Sequence, residues 1–162
     1  MSVKDHKDHS YVLTFGVITA SSTRTEDTDE SGKLAIELVS KLHKLAYYKV
    51  VKDDVSMLRA SILEANCDFL IVNGGTGLSK FDLTIEAIKP YFTKNIEGFG
   101  ELFRMISYKE IGSAAMMSRA SAGLINKKIV FVVPGSPAAI TTAVTMLILP
   151  EVSHIYYELT KE

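Results

Sequence analysis

The stretch FLIVNGGTG, residues 69–77, decides the fold class. Phe69 to Val72 is a short run of bulky apolar residues, as found in a strand that is buried on both faces of a sheet. It leads directly into the loop Asn73 to Gly77, whose three glycines permit positive φ angles and a close approach of the backbone to a ligand. The sequence therefore predicts a buried strand that ends in a candidate anion-binding loop.

Apolar runs of the same kind lie on both sides of this stretch, and each is followed by a segment with helical periodicity. The predicted strands are Leu13 to Thr19, Tyr47 to Val51, Phe69 to Val72 and Ile129 to Val133. The predicted helices are one with Leu34, Leu38, Leu42 and Leu45 on one face, one capped by Asp54 with Val55, Leu58 and Ile62, one from about Leu83 to Lys89 that stops at Pro90, one from Glu97 to Lys109, and one with Ile140, Val144 and Leu147. Ala114 to Gly123 fits neither period.

Strands that alternate with helices need crossover connections, which produce a parallel sheet covered on both faces. The sequence therefore predicts α/β architecture: a single doubly wound domain with a mostly parallel sheet, over residues 11–162. A flexible N-terminal extension, residues 1–10, is expected before it. Ligands are expected at the carboxyl ends of the strands.

Composition excludes several classes of protein. The 162 residues are 47% hydrophobic and 23% charged, typical of a soluble domain. No apolar run reaches the ~20 residues that span a bilayer; the longest, Ala143 to Leu149, is closed by Pro150. The polar N-terminus lacks the apolar segment of a secretory signal. The single cysteine, Cys67, rules out an intrachain disulfide and fits a cytoplasmic protein.

The charge balance bears on the ligand. With 18 basic against 19 acidic side chains, a broad nucleic-acid-binding face is not expected. A phosphorylated ligand must then be met locally, by backbone amides and a metal ion. The spacing of the glycines matches neither a Walker A loop nor a dinucleotide fingerprint.

Asp82 follows the glycine loop at short range. Its carboxylate can hold Mg²⁺ that bridges nucleotide phosphates, or it can cap the helix that begins at Leu83. Both roles are compatible, and local sequence favours the cap. Glu86 stands four residues further on, so a shared metal site is a second possibility.

Further candidate groups follow the other strands. In the turn Pro134 to Pro137, Ser136 is the expected N-cap, and the free amides at a helix start suit an anion. Asp53 and Asp54 precede a helix: one is the expected cap, which leaves the other for a metal or polar ligand.

The loop Ser21 to Gly32, which includes Ser22, is rich in hydroxyls and acids. Arg24, Lys80 and Arg119 are candidates to meet negative charge, although each is also a plausible surface residue.

An ordered set of motifs resembles the MoaB/Mog family of molybdenum-cofactor biosynthesis proteins. The motifs are GGTG at 74–77, Asp82-Leu-Thr84 with Glu86-Ala87, Gly98-Phe99-Gly100-Glu101, Ser118-Arg119, PGSP at 134–137 and Asp29 to Gly32. The resemblance extends from about Val12 to about Leu149. Each motif alone is weak, and their order makes the set specific.

The resemblance implies an activity: Mg-ATP and molybdopterin give adenylyl-molybdopterin and pyrophosphate, with the pterin's terminal phosphate attacking the α-phosphorus. Carried over by motif, Asp82 and Asp53 are the catalytic and Mg²⁺-binding acids. The implied substrate- and phosphate-binding residues are Gly74, Gly75, Thr76, Gly77, Gly135, Ser136, Ser22 and Arg119. The resemblance also implies a trimer or a hexamer of trimers, and a downstream metal-insertion protein as partner. Met116 and Met117 then fit a core or a subunit interface.

Three residues depart from the family pattern: Asn73 replaces a common threonine, Phe81 a basic residue, and Ile85 a proline. Phe81 matters most, because it removes a positive charge beside the expected phosphate site; Lys80 is placed to compensate. The alternative function is therefore a molybdopterin-binding or assembly protein of the same fold that does not catalyse adenylylation.

Overall fold

The fold is a three-layer α/β domain in the computed structural model, which describes residues 10–162. Apart from Ser10, the predicted extension at residues 1–10 lies outside the described residues. The strands are β1 (Thr14–Ala20), β2 (Lys44–Val51), β3 (Phe69–Asn73), β4 (Lys94–Asn95), β5 (Ser121–Ile125) and β6 (Lys128–Val133). Their order in the sheet is β2-β1-β3-β6-β5-β4. The first four in this order are parallel, and β5 runs antiparallel to both β6 and β4.

Helices connect these strands. They are α1 (Glu30–Val39), α2 (Val55–Glu64), α3 (Thr84–Ile88), α4 (Glu97–Ile111), α5 (Pro137–Thr142) and α6 (Leu149–Thr160). Short 3₁₀ helices cover Lys89–Tyr91 and Gly112–Met117, and a π-helical segment, Ala143–Ile148, joins α5 to α6. Asp54 caps α2, as predicted: its Oδ1 accepts a hydrogen bond from the Met57 N–H at 2.8 Å.

Two hydrophobic cores lie on opposite faces of the sheet. Alternate residues of the central strands divide between them: Ile71 of β3 belongs to the core beneath α1, α4, α5 and α6, whereas Leu70 and Val72 belong to the core beneath α2 and α3. Because both faces are covered, β3 is apolar at successive positions instead of alternating with polar residues. The predicted doubly wound α/β domain is confirmed.

The first predicted helix is too long. It ends at Val39, and Leu45 belongs to β2. Leu42 is exposed in the connecting turn, where it does not continue the apolar face. The turn is held by buried His43, whose Nδ1 accepts a hydrogen bond from the Leu13 N–H at 3.1 Å. Leu42 and Leu45 continue the helical spacing of leucines beyond the end of α1, but both are exposed and neither reaches the core.

The segment that fitted neither period contains a 3₁₀ helix and β5. Ala122 and Gly123 are buried in β5, so this strand shows no polar–apolar alternation. A Cβ on Gly123 would lie 2.5 Å from the ring of Phe92, which explains a glycine in the middle of a strand. The two-residue strand β4 pairs with β5 and has no sequence pattern of its own.

The C-terminal helix runs continuously from Pro137 to Thr160, through Pro150. The helix has 24 residues and contains an 18-residue window with a mean hydropathy of 1.4, which would suffice for a membrane span by length and composition. However, Ile140, Val144 and Ile148 are fully buried against the sheet, as is Val152. Its apolar stripe is therefore explained by core packing.

Candidate active site

An open hollow of about 760 Å³ lies at the carboxyl ends of β1, β3 and β6. Crossover topology brings the loops that follow these parallel strands to one edge of the sheet. The lining residues come from four loops: Ala20, Ser21, Ser22, Thr23, Arg24, Asp53, Gly74, Gly75, Phe81, Asp82, Gly135, Ser136 and Pro137. The hollow therefore brings together most of the site residues predicted from the sequence.

The first two glycines of the loop after β3 adopt conformations that other residues disfavour. Gly74 has φ 93° and Gly75 has φ 68°. A Cβ on Gly74 would lie 2.4 Å from the Ala20 carbonyl oxygen, and one on Gly75 would lie 2.2 Å from the Thr84 Oγ1. Thr84 in turn donates its hydroxyl to the Gly74 carbonyl at 2.8 Å. Glycine at both positions is thus required by the backbone and by close packing.

Backbone amides suited to an anion are present on two sides of the hollow. The Gly74 N–H donates a hydrogen bond to the Val133 carbonyl and is therefore not available to a ligand. In the described part of the chain, neither the Gly75 N–H nor the Ser136 N–H donates to a protein acceptor. Ser136 also caps α5, since its Oγ accepts from the Ala139 N–H at 3.2 Å, as predicted. Such unpaired N–H groups are the donors that bind phosphate oxygens.

Asp82 faces the hollow but does not cap α3. Its Oδ2 accepts from the Ser79 N–H at 3.0 Å, and Leu83 occupies the cap position without a side-chain hydrogen bond. The predicted capping role is therefore wrong: the carboxylate closes the preceding turn instead. Hydrogen bonding from Ser79, aided by backbone amides and by Arg119, holds the pKa of Asp82 below its ordinary value. The carboxylate is consequently ionised at neutral pH.

Asp53 is held by the loop that follows β1. Its Oδ2 accepts hydrogen bonds from the Ser22 N–H at 3.0 Å and from the Ser22 hydroxyl at 2.9 Å. The same hydroxyl oxygen accepts from the Asp53 N–H at 3.1 Å. This reciprocal pair fixes the Asp53 carboxylate at the wall of the hollow and leaves Oδ1 without a protein donor among the described residues.

Asp53 and Asp82 are a donor set suited to Mg²⁺ accompanied by a phosphorylated ligand. Residues 10–162 contain no group of three or more His, Cys, Asp or Glu side chains that could hold a metal by themselves. Magnesium is commonly held by one or two carboxylates, with substrate phosphates and water as the other ligands. The chemistry of this donor set therefore fits a metal that arrives with a nucleotide.

Three of the predicted binding residues lie outside the lining of the hollow: Thr76, Gly77 and Arg119. The Arg119 guanidinium donates to the Gly77 carbonyl at 2.7 Å and to the Asp82 carbonyl at 3.2 Å. It also pairs with Glu86. Arg119 therefore stabilises the glycine loop through its carbonyl groups and does not line the hollow. Glu86 forms an ion pair with Arg119 instead of sharing a metal site with Asp82.

Phe81 stands exposed at the rim of the hollow, where the resemblance implied a basic residue. The Lys80 Nζ lies 5.1 Å from the centre of the Phe81 ring. Lys80 is not among the lining residues, so it does not replace the missing charge within the hollow.

A buried polar network beneath the hollow was not predicted from the sequence. Asp29, which is fully buried, accepts hydrogen bonds from the Thr19 hydroxyl at 2.6 Å and from the Tyr48 hydroxyl at 2.7 Å. Asn73 continues the network: its Nδ2 donates to Thr19 at 2.8 Å, and its Oδ1 accepts from Ser31 at 3.0 Å. Burial, followed by the bond to Asp29, raises the pKa of Tyr48.

One signal for this network was present in the sequence. Asp29 begins the DESG segment, and Asn73 stands at the end of the central strand. The acid-rich composition of Ser21 to Gly32 concealed which carboxylate is buried.

Comparison with known proteins identifies the family. A family model described as Probable molybdopterin binding domain matches residues 16–154. Molybdenum cofactor biosynthesis protein B of Bacillus subtilis (strain 168) is 48% identical over 170 aligned residues, which cover 100% of this chain and 99% of the relative. The chain belongs to the molybdopterin-binding domain family.

Solved structures agree with this membership. The crystal structure of a molybdenum cofactor biosynthesis protein B is 47% identical, with a TM-score of 0.90 and coverage of 94% of this chain and 98% of that one. The tungsten cofactor synthesizing protein MoaB from Pyrococcus furiosus is 41% identical, with a TM-score of 0.84 and coverage of 91% and 97%. The names of these relatives place the family in molybdenum or tungsten cofactor biosynthesis, and the family predicted from the sequence motifs is confirmed.

Proposed function

We propose that this member of the molybdopterin-binding domain family catalyses Mg-ATP-dependent adenylylation of molybdopterin in molybdenum or tungsten cofactor biosynthesis. The observation that carries the proposal is the shared hollow, in which Asp53 and Asp82 stand with the backbone of Gly75 and Ser136. Two carboxylates for a nucleotide-borne metal, and two unpaired backbone N–H groups for phosphates, suit a reaction between two phosphorylated molecules.

The reaction needs positioning and charge neutralisation more than covalent help from the protein. An oxygen of the molybdopterin phosphate attacks the α-phosphorus of ATP, and the bond from that phosphorus to the pyrophosphate oxygen breaks. The chain's part is to hold both phosphates: the Gly75 N–H and the Ser136 N–H each offer a donor from a different loop. Bound Mg²⁺, held by Asp82 and Asp53, would neutralise phosphate charge.

Product analysis tests the proposal. Purified protein is incubated with molybdopterin, ATP and MgCl₂, and the mixture is separated by chromatography. We expect adenylyl-molybdopterin and pyrophosphate in equal amounts, and neither when EDTA replaces MgCl₂. Folded protein that binds molybdopterin yet forms no product would contradict the proposal.

A second function has its own support. Phe81 at the rim, in place of a basic residue, favours a molybdopterin-binding or assembly protein without catalysis. Calorimetry separates the two functions. Under this alternative, the heat of molybdopterin binding is unchanged by Mg-ATP, and Mg-ATP alone produces no binding heat.

We also propose that the chain acts in the cytoplasm as a trimer or a hexamer of trimers, and passes its product to a metal-insertion protein. The self-association surface proposed here consists of exposed apolar side chains on α4 and the 3₁₀ helix after it: Leu102, Met105, Tyr108, Ile111, Met116 and Met117. Met116 is 76% exposed, so it does not serve the core of the single chain. Several exposed apolar side chains on two consecutive elements are typical of a protein interface.

A further inference from the structure

The hollow contains a marked imbalance of charge. Its two carboxylates, Asp53 and Asp82, are accompanied by one cationic side chain among the described lining residues, Arg24. A nucleotide can bring a metal to the carboxylates. A phosphate that arrives without a metal is repelled by them and needs a cation of the protein.

Arg24 is held so that part of its guanidinium stays available. Its Nη1 donates to the Ser31 hydroxyl at 2.7 Å and to the Gly135 carbonyl at 3.2 Å. In the described structure, Nε and Nη2 donate to no protein acceptor, and the side chain is 38% exposed. An arginine fixed through one nitrogen can still offer its other N–H groups to a phosphate in a bidentate manner.

The buried network beneath the hollow fixes this arrangement. Asp29 Oδ1 lies 3.8 Å from Arg24 Nη1, while the side chain of Asp29 has no exposure to solvent. Hydroxyls of Thr19 and Tyr48 donate to its other oxygen. A buried carboxylate needs such partners and an opposite charge, so Asp29, which does not line the hollow itself, restrains Arg24.

We infer that Arg24 binds the metal-free phosphate monoester of molybdopterin, and that Asp29 is its positioning residue. The contact from Arg24 to Gly135 places the guanidinium beside the turn in which Ser136 offers an unpaired N–H. The inference rests on the proposed function, because it assigns one of the two proposed substrates to one part of the same hollow. The nucleotide then occupies the part nearer Asp82.

Direct binding measurements without MgCl₂ or ATP test the role of Arg24. For Arg24→Ala, we expect the Kd for molybdopterin to rise about tenfold to a hundredfold, the effect of losing hydrogen bonds to a charged group. Arg24→Lys keeps the charge without the planar fork and should recover part of the loss. The Kd for Mg-ATP should stay within about twofold of wild type in both variants, since the inference assigns Arg24 to the pterin alone.

Lys33→Ala is the matched control. Lys33 is an exposed cation nearby in the chain whose Nζ donates to the Asp27 carbonyl, and it does not line the hollow. Its removal should leave both dissociation constants unchanged.

Steady-state kinetics test the positioning role of Asp29. Asp29→Asn and Tyr48→Phe should each raise the KM for molybdopterin several-fold, with kcat and the KM for Mg-ATP little changed. A merely structural role would instead lower the active fraction and reduce kcat at constant KM. Tyr48 does not line the hollow, and Tyr48→Phe removes only its hydroxyl, so this variant still tests the positioning role if Asp29→Asn fails to fold.

The possible outcomes separate this inference from the proposed function. Wild-type protein that forms adenylyl-molybdopterin, with Arg24→Ala binding molybdopterin as tightly as wild type, overturns the inference alone. Equal weakening of molybdopterin and Mg-ATP by Arg24→Ala also overturns it. Wild-type protein that binds molybdopterin without forming product leaves the binding test of Arg24 valid and refutes only adenylylation.

Discussion

Asp54 lies directly before α2, and Asp82 lies two positions before the first residue of α3. The two carboxylates nevertheless have different roles in the structure. Asp54 caps α2 through a hydrogen bond from Met57. Asp82 accepts from Ser79, within its own loop, because the preceding turn folds back toward it. One further consequence is close packing: a Cβ on Gly77 would lie 2.8 Å from the Asp82 Oδ2. Local sequence alone does not separate a capping aspartate from one that faces a ligand.

This difference yields a prediction for two isosteric substitutions. Asp82→Asn should lower the rate of adenylyl-molybdopterin formation by at least about 100-fold, because it removes a charge that holds the metal. Molybdopterin binding should be largely retained. Asp54→Asn is the control: asparagine caps a helix as well as aspartate does, so activity should stay at the wild-type level. Comparable losses in both variants would place the effect in folding rather than in the site.

At the scale of elements, α4 contains two glycines whose surroundings differ sharply. A Cβ on Gly98 would meet nothing within 4 Å, whereas one on Gly100 would lie 2.5 Å from the Ala120 carbonyl oxygen and 2.6 Å from the Arg104 guanidinium. Gly100 therefore permits the close approach of α4 to the residue that precedes β5. Gly98 has no such role.

Alanine substitutions in α4 should then have opposite effects. Gly98→Ala should raise the free energy of unfolding by about 0.5 kcal/mol, because alanine favours the helix. Gly100→Ala should lower it by about 1–3 kcal/mol, the usual cost of overpacking. Urea denaturation measures both. If Gly100→Ala were as stable as Gly98→Ala, the described packing of α4 against Ala120 would be wrong.

The turn between α1 and β2 gives a pH-dependent prediction. Burial lowers the pKa of His43, and its Nδ1 accepts a hydrogen bond from Leu13 in the neutral form. A lowered pKa in the folded state contributes stability that is present above the unfolded value of 6.5 and is lost as pH falls through the folded value. The free energy of unfolding of the wild-type protein should therefore decrease as the pH is lowered from 7.5 to values below 6.5.

The variant His43→Asn isolates this contribution. Its amide oxygen can accept from Leu13 but does not titrate, so its free energy of unfolding should depend less steeply on pH than that of wild type. Equal slopes in urea denaturation at several pH values would show that His43 does not carry the dependence.

How far the sequence predicts the elements follows from their burial. The central strands and α2 were predictable because short, strongly apolar runs and a capping aspartate specify them locally. The end of α1 was not, since Leu42 continues the spacing although it is exposed. β5 escaped prediction because Ala122 and Gly123 are small to fit against neighbours that are distant in the chain. The same holds for the candidate site. Its loops were predictable from the sequence, whereas the burial of Asp29 was not, because it depends on contacts with Thr19 and Tyr48.

At the scale of the whole molecule, the proposed self-association surface leads to a prediction about assembly. Sedimentation should give a mass of three chains or a multiple of three. Met105→Glu places a charge within the apolar surface and should shift the protein toward monomers, since a buried unpaired charge is costly. Leu63→Glu alters another exposed apolar side chain, on α2, and should leave the assembly intact. A wild-type monomer at micromolar concentration would contradict the proposed surface.

A crystal structure with molybdopterin and a magnesium-bound, non-hydrolysable ATP analogue present together would show whether one hollow holds both substrates. We expect both molecules in the hollow, with the metal on Asp53 and Asp82, the pterin phosphate on Arg24 and Ser136, and that phosphate facing the α-phosphorus. Either ligand bound on another surface, or the two phosphates held apart on separate sites, would contradict the proposed function.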